Sequence, residues 1–238
     1  MGRVRKPFLP RQFEPVNWRT MAGHMRQFLR LAFISLTIVA AAVVVDTVTL
    51  SSHGQRSPTV PPEIRVRIDT TAGSIDIAVN PARAPLTADN FLKYVDGGLY
   101  ENGRFHRATR ADNYVVNLPN RPLLEVVQAG IDPAKKPKAF PPIPLERTSV
   151  TGLKHVVGTV SMARGTGADT ATSDFFILLN DQPSLDFGGR RFDDEQGAAA
   201  FGRVVSGMDV VRKIQQQPTE GQSLTPPITI LSAKRLKP

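Results

Sequence analysis

The sequence predicts a mainly β fold: a closed eight-stranded antiparallel barrel that is capped by two α-helices and preceded by an N-terminal apolar helix. Three observations support this fold class. After residue 62, eight short segments have the apolar pattern of strands, and two others have the spacing of amphipathic helices. Before them, residues 31–45 form an uncharged apolar stretch. A closed barrel is expected because closure leaves no exposed strand edge.

The first two strands are expected to form a hairpin. Residues 64–69 and 74–79 alternate apolar and polar side chains, and Thr71-Ala72-Gly73 between them suits a turn. This pattern indicates an antiparallel pair with one buried face. Six further segments have strand character and complete the eight: residues 103–108, 124–128, 158–162, 175–179, 201–205 and 228–233.

Two helices are expected between these strands. The first begins at Pro85, whose missing N–H is not needed in a first helical turn, and it ends at Gly97-Gly98. Its predicted apolar face consists of Leu86, Phe91, Leu92 and Val95. The second covers residues 208–216, with an inward face of Val210, Val211 and Ile214. Residues 132–144 contain five prolines and three lysines and are predicted to form a surface loop.

The positive charge of the chain is concentrated at its N-terminus. The formal net charge is +9, and residues 1–30 supply +6 of it, from seven basic side chains against Glu14 alone. The apolar residues 31–45 come next, followed by the polar, proline-containing residues 51–62. This order is typical of an export signal or a signal anchor, and the positive-inside rule keeps residues 1–30 in the cytoplasm.

The chain is therefore divided into a basic cytoplasmic flank (1–30), a signal-anchor or signal-peptide helix (31–50), a linker (51–62) and a folded domain (63–238). The only A-x-A run, at 40–42, lies inside the apolar block and is a poor cleavage site, which favours an uncleaved anchor. Translation from Met25 would instead give an ordinary signal peptide. We expect a single-pass protein of the cell membrane with its domain outside the cytoplasm, or a periplasmic or secreted protein if the signal is cleaved.

Composition excludes several kinds of chemistry. Without cysteine there is no disulfide, thiolate nucleophile or cysteine-ligated zinc, and the four histidines have no metal-ligand spacing. We therefore expect neither a metal nor a cofactor, and we interpret the acidic run Asp193-Asp194-Glu195 as a solvated loop. Residues 31–238 carry a net charge of only +3, so charge gives no reason to expect nucleic acid as a partner.

Several ordered motifs carry a more specific pattern. Phe105-His106-Arg107 follows the turn GGLYENG, the segment GTVSMAR at 158–164 precedes ATSDFFI at 171–177, and AFGRVV at 200–205 precedes a glycine turn and a helix. In their order along residues 63–238, these motifs resemble the cyclophilin family of peptidyl-prolyl isomerases, particularly its bacterial branch. The resemblance implies a cyclophilin-like barrel of eight strands and two helices, in agreement with the strand count above.

The resemblance also implies cis/trans isomerisation of X-Pro bonds, here in exported proline-containing polypeptides whose folding it would assist. The barrier to rotation is amide resonance, about 18–20 kcal/mol, and no covalent bond breaks. Such a reaction needs an apolar pocket for proline and a hydrogen-bond donor for the prolyl nitrogen, but it needs no nucleophile, metal or cofactor. We expect the protein to act as a monomer.

The resemblance assigns roles to seven residues. Arg107 in FHR matches the catalytic arginine, and Gln128 in VVQAG matches a glutamine that hydrogen-bonds the substrate backbone. Phe176 matches the floor of the proline pocket, and Leu185 matches one wall. The other substrate-binding positions are two whose backbone meets the peptide and one where a pocket methionine is common: Ala163, Arg164 and Val126.

Other positions depart from the family pattern. Residues 108–124 replace a short loop, and Glu125 falls where a phenylalanine is expected. Ser184 and Ala198 stand where the family has a pocket tryptophan and a rim histidine or aromatic residue. Fewer aromatic side chains around the pocket would weaken peptide binding or change which residues are accepted beside proline. Tyr114 and Leu118 are the candidates to replace the aromatic side chain that is missing at Glu125. The alternative function is therefore a proline-peptide binding module or chaperone with little or no isomerase turnover.

Overall fold

The computed structural model describes residues 63–113 and 123–237. The flank, the apolar helix and the linker expected within residues 1–62 lie outside the described residues, so these expectations stay predictions. None of the helices in the described part of the chain is long and apolar enough to cross a membrane.

The described residues form a closed antiparallel barrel. Eight strands follow one another in the order β1-β2-β7-β5-β6-β4-β3-β9, and β9 pairs with β1 to close the circle. A ninth strand in the described part, β8, has two residues and pairs with β9. The strands are β1 (Ile64–Thr70), β2 (Gly73–Val79), β3 (Arg104–Thr109), β4 (Val126–Gly130), β5 (Thr159–Met162), β6 (Phe175–Leu178), β7 (Ala199–Ser206), β8 (Thr219–Glu220) and β9 (Ser223–Arg235).

The predicted eight-stranded antiparallel barrel is confirmed, and each predicted strand corresponds to an observed one. In the opening hairpin, Val66 pairs with Ile77 and Ile68 pairs with Ile75, and all four side chains are buried. The short strand β8 was not predicted because two residues cannot display a periodic pattern.

Both predicted helices are confirmed as α1 (Pro85–Asp96) and α3 (Met208–Gln215). The prediction that Leu86 belongs to the apolar face of α1 is wrong, since this side chain is 51% exposed. The buried face is set one position later, at Thr87, where the backbone N–H and the hydroxyl both donate to the Glu146 carboxylate at 2.7 and 2.6 Å. A further one-turn helix, α2 (Thr148–Thr151), was not predicted.

Residues 132–144 are more ordered than a simple loop. Pro133–Lys138 form a 3-10 helix that begins with the Asp132 side chain accepting a hydrogen bond from the backbone N–H of Ala134 at 3.0 Å. None of its side chains is buried, which agrees with the predicted surface position.

Two hydrophobic clusters, one on each face of the sheet, explain why β4 and β6 are buried on both sides. Val127 and Ile177 belong to the larger cluster, which fills the barrel and includes Phe91 of α1. Their neighbours Val126 and Phe176 belong to a smaller cluster on the other face. Because successive strand residues point to opposite faces, one short strand supplies both clusters. The smaller cluster is the base on which the candidate site is built.

Candidate active site

Three of the predicted site residues lie side by side on neighbouring strands. Arg107 on β3 pairs with Gln128 on β4, and Gln128 pairs with Phe176 on β6. Residues directly opposite in a ladder place their side chains on the same face. The register therefore aligns a guanidinium, a carboxamide and a phenyl ring on the outer face of the barrel.

A β-bulge in β3 helps to orient Arg107. Phe105 pairs with Ala129 and Arg107 with Gln128, so His106 is an extra residue between two consecutive pairs. Phe105 is fully buried, whereas His106 and Arg107 are both partly exposed. The bulge thus lets two successive side chains leave the core.

One pocket of about 130 Å³ is lined by all seven residues to which the resemblance assigns a role. Its lining includes Arg107, Val126, Gln128, Ala163, Arg164, Phe176 and Leu185. Three more described residues line it that the sequence did not single out, Leu124, Arg191 and Phe192. Cavities of about 150 Å³ hold one benzene ring, so this pocket is on the scale of a single small ring.

The Arg107 guanidinium is held by two glutamines. Its Nη1 donates to Gln128 Oε1 at 3.1 Å, and its Nε and Nη2 donate to Gln222 Oε1 at 3.0 and 2.7 Å. Gln222 lies between β8 and β9, 115 positions along the chain from Arg107. Sequence reasoning missed Gln222 because no local pattern links these two segments.

The Phe176 ring, which lines the pocket, is stacked on a buried histidine. The His155 ring is stacked on Phe176 with the planes 18° apart, and it is 1% exposed. Its Nδ1 lies 2.8 Å from Asp186 Oδ1, and its Nε2 lies 3.0 Å from Ser161 Oγ. Burial of the Asp186 carboxyl raises its pKa, but the hydrogen bonds and charge interactions with His155, together with the charge of Lys154, outweigh this effect and hold the pKa below its ordinary value. The sequence did not single out His155 as a site residue, although His155 ends the segment GLKH at 152–155, which belongs to the ordered motifs of the family resemblance.

Leu185 is positioned by a short 3-10 helix, Pro183–Leu185. The Leu185 carbonyl oxygen accepts a hydrogen bond from the backbone N–H of Ala198 at 2.9 Å. Ala198 stands where the family has a rim histidine or aromatic residue, and here it is buried in the smaller cluster with Leu185 and Phe176. Ser184, in the expected tryptophan position, donates through Oγ to Gln182 Oε1 at 3.2 Å.

Glu125, at the position where the family has a phenylalanine, does not line the pocket. Glu125 is partly buried, and its backbone N–H donates to Asn180 Oδ1 at 3.2 Å. The neighbouring Leu124 lines the pocket instead, together with Phe192. The candidate substitutes Tyr114 and Leu118 lie outside the described residues.

The interpretation of residues 193–195 as a solvated loop is confirmed, since all three residues are exposed, but Asp194 also forms an ion pair. Its carboxylate accepts two hydrogen bonds from the Arg164 guanidinium, at 2.6 and 3.0 Å. These bonds hold the pKa of Asp194 below its ordinary value. Among residues 63–113 and 123–237, no group of three or more His, Asp or Glu side chains could hold a metal ion.

The sequence is similar to bacterial peptidyl-prolyl isomerases. Residues 65–235 match the family of cyclophilin-type peptidyl-prolyl cis-trans isomerases. The chain is 37% identical to peptidyl-prolyl cis-trans isomerase A of Dickeya dadantii over 209 residues, which cover 86% of this chain and all of that protein. It is 35% identical to peptidyl-prolyl cis-trans isomerase B of Escherichia coli over 150 residues, covering 63% of this chain and 83% of the relative.

A solved structure has the same fold. The cyclophilin-type isomerase of Cryptosporidium parvum, crystallised in the presence of the dipeptide Ala-Pro, aligns with a TM-score of 0.58 and 21% identity over 73% of this chain and 99% of that one. The barrel topology, the family match and the similarity to bacterial isomerases all indicate the same family. The chain belongs to the cyclophilin-type peptidyl-prolyl cis-trans isomerases.

Proposed function

We propose that this protein accelerates rotation about X-Pro bonds in exported polypeptides, with the proline ring seated in the 130 Å³ pocket and Arg107 beside the prolyl nitrogen. Isomerisation of X-Pro bonds is the activity of its family and of its bacterial relatives. The single observation that carries the assignment of the site is that all seven expected residues line one pocket.

The chemistry follows from the geometry of the pocket. Rotation breaks the amide conjugation and leaves a lone pair on the prolyl nitrogen. A guanidinium that donates to this lone pair stabilises the twisted state more than either planar isomer, which is the condition for catalysis. A 10⁵-fold acceleration requires about 7 kcal/mol of such preference. The two glutamines that hold Arg107 reduce the reorganisation needed at the moment of rotation.

The apolar part of the pocket positions the substrate. Phe176, Val126 and Leu185 are at most 7% exposed and offer the proline ring an apolar surface. Arg164 as a whole is partly exposed although its side chain is 0% exposed, so its backbone is the accessible part. An extended peptide beside the pocket would therefore meet backbone groups at this position. An Ala-Pro dipeptide was present in crystals of the Cryptosporidium parvum relative, which supports a proline-containing ligand.

The test is a proline-isomerisation assay on the full chain and its Arg107→Ala variant. We expect the wild type to accelerate isomerisation of a proline-containing tetrapeptide, and the variant to lose about 10² of kcat/KM because a preorganised donor is removed. Arg235→Ala is a matched control, because Arg235 forms a bidentate pair with Asp96 and does not line the pocket. Tetrapeptide binding without acceleration by the wild type would favour the binding-module alternative.

The compartment is a second part of the proposal. We place the domain outside the cytoplasm because a basic segment precedes the apolar residues 31–45. Fractionation should find the protein with the membrane or outside the cytoplasm, and N-terminal sequencing of the mature protein separates an anchor from a cleaved signal. Recovery of the full-length protein wholly in the soluble cytoplasmic fraction would contradict this assignment.

A further inference from the structure

Arg164 stands out in the pocket because its side chain turns away from solvent. The residue lies at the rim, yet its side chain is 0% exposed. Its Nη1 and Nη2 donate to the two carboxylate oxygens of Asp194, at 3.0 and 2.6 Å. Its Nε donates to the carbonyl oxygen of Gly197 at 2.7 Å, and Nη1 also donates to the Thr166 carbonyl at 3.2 Å. A buried guanidinium needs such partners to offset its lost hydration.

The guanidinium lies against the ring of Phe192. The Arg164 Cζ atom is 3.5 Å from the ring centroid, within the range of a cation–π contact. Phe192 also packs on the small cluster that contains Phe176 and Leu185, and it lines the pocket. The ring is thus held between a fixed cation and an apolar surface.

The loop that carries Phe192 is anchored at several points. The backbone N–H of Arg191 donates to the Ser184 carbonyl at 3.0 Å, and that of Glu195 donates to the Phe192 carbonyl at 3.0 Å. Asp194 Oδ1 accepts a further bond from the backbone N–H of Gln196 at 3.0 Å. The Arg164–Asp194 pair therefore connects β5 and its following residues to a loop that already has a defined shape.

We propose that Phe192 is a substrate-binding residue that forms the aromatic wall of the proline pocket, and that Arg164 and Asp194 are positioning residues that hold its ring in place. Phe176 and Phe192 are the two aromatic side chains among the described residues that line the pocket. Phe176 supplies the floor, and Phe192 supplies a second surface for the proline ring. This inference rests on the proposed function and adds a determinant of its substrate binding.

The two roles separate kinetically. Apolar contact with the proline ring is present in the planar and in the twisted state, so it is uniform binding and affects KM rather than kcat. We expect Phe192→Ala to raise KM for a proline-containing tetrapeptide about tenfold and to change kcat less than about twofold, since loss of one aromatic contact corresponds to roughly a tenfold change in affinity. Arg107→Ala is expected to lower kcat instead.

The positioning role is tested with Asp194→Asn, alone and combined with Phe192→Ala in the full chain. Asp194→Asn alone should raise KM about threefold to tenfold, because a neutral amide does not hold the guanidinium in the same bidentate pair. In the Phe192→Ala background it should change KM little, because its effect passes through the ring. Such non-additivity is not expected of two independent structural changes.

Asp76→Asn is the matched control. Arg67 and Asp76 form a bidentate pair of the same kind, with Nε–Oδ1 and Nη2–Oδ2 distances of 2.7 and 2.8 Å, between β1 and β2 and outside the pocket lining. This variant should lower the melting temperature in the manner of a lost surface pair and leave KM unchanged. Equal effects of Asp76→Asn and Asp194→Asn on KM would overturn the positioning role.

The activity and binding measurements distinguish a failure of this inference from a failure of the proposed function. A wild-type protein without isomerase activity contradicts the function, and the dissociation constant of the tetrapeptide, measured by NMR titration of the same variants, then decides the inference. Weaker binding to Phe192→Ala, with matching non-additivity for Asp194→Asn, supports it. An active wild type whose KM and dissociation constant are unchanged by Phe192→Ala overturns it.

Discussion

The Oε1 atom of Gln222 accepts hydrogen bonds from both Nε and Nη2 of Arg107, at 3.0 and 2.7 Å. One edge of the guanidinium is thereby fixed by a residue from the opposite end of the domain sequence, and Nη1 is bonded to Gln128. The planar guanidinium forms several directed bonds at once, which a lysine ammonium cannot reproduce. The orientation of the proposed catalytic group therefore depends on the turn between β8 and β9.

Removal of Gln222 should reduce turnover. We expect Gln222→Ala to lower kcat/KM about tenfold, mainly through kcat, because the loss of one charge-assisted acceptor corresponds to about 1.5 kcal/mol. Gln222→Glu keeps an acceptor in the same place and should retain most of the activity. Gln217→Ala is the control, since Gln217 Nε2 bonds the Lys213 carbonyl on the exposed end of α3. An unchanged kcat in Gln222→Ala would contradict the positioning of Arg107 by this residue.

The Asp186–His155 pair should make stability depend on acid pH. The folded-state pKa of Asp186 is lowered: burial raises it, but hydrogen bonds and charge interactions with His155 and the charge of Lys154 together outweigh the burial. A lowered carboxyl pKa gives stability that is complete above the unfolded value of about 3.9 and is lost as pH falls through the folded value. Asp186→Asn should therefore cost about 1–3 kcal/mol of unfolding free energy at pH 7.

The stability effect of Asp186→Asn should depend on pH in a defined direction. The difference in unfolding free energy between wild type and Asp186→Asn should shrink as pH falls below about 4, because the Asp186 carboxyl becomes protonated in the folded wild type. Urea titrations at several pH values measure it. A difference that grows toward low pH would show that the carboxylate does not stabilise the folded state through His155.

Gly207 should be intolerant of a side chain for a steric reason. It precedes α3 with φ +88°, and a Cβ atom there would lie 2.4 Å from the Ser74 carbonyl oxygen. Gly188 has a similar φ of +81°, and a Cβ atom there would meet nothing within 4 Å. Both alanine variants incur the cost of a left-handed conformation, about 1–2 kcal/mol.

The difference between the two glycine variants isolates the clash. Gly207→Ala should be more destabilising than Gly188→Ala by about 1–3 kcal/mol, because the backbone of β2 must move. Thermal or urea unfolding of the two proteins measures this difference. Equal losses would mean that the hairpin relaxes freely around the new methyl group.

The centre of the barrel should be sensitive to Phe91. This ring is fully buried, and its centroid lies 5.0 Å from that of Phe201 and 5.5 Å from those of Phe175 and Tyr100. Phe91→Ala leaves a cavity among three rings and should cost about 3–5 kcal/mol of unfolding free energy. Phe91→Leu fills part of that space and should cost less. A loss below about 1 kcal/mol for the alanine variant would mean that the neighbouring rings collapse into the cavity.

The sequence by itself determined the barrel and the composition of most of the pocket. Apolar alternation at residues 64–69 and 74–79 encodes a hairpin because side chains of a strand point to opposite faces. The family resemblance singled out Arg107, Gln128 and Phe176, and the structure places them on three neighbouring strands. Leu86 marks the limit of such reasoning, since a helical pattern does not state where the buried face begins.

Only the tertiary structure decided which loops complete the site. Gln222 reaches Arg107 because β9 pairs with β3 when the barrel closes, and Phe192 reaches the pocket because Asp194 in its loop pairs with Arg164. His155 lies beneath Phe176 for the same kind of reason, through Asp186 and Ser161. The local spacing of apolar residues indicates which face of a strand or helix is buried. Contacts between distant loops depend on the closure of the sheet and on side-chain hydrogen bonds, which no short stretch of sequence encodes.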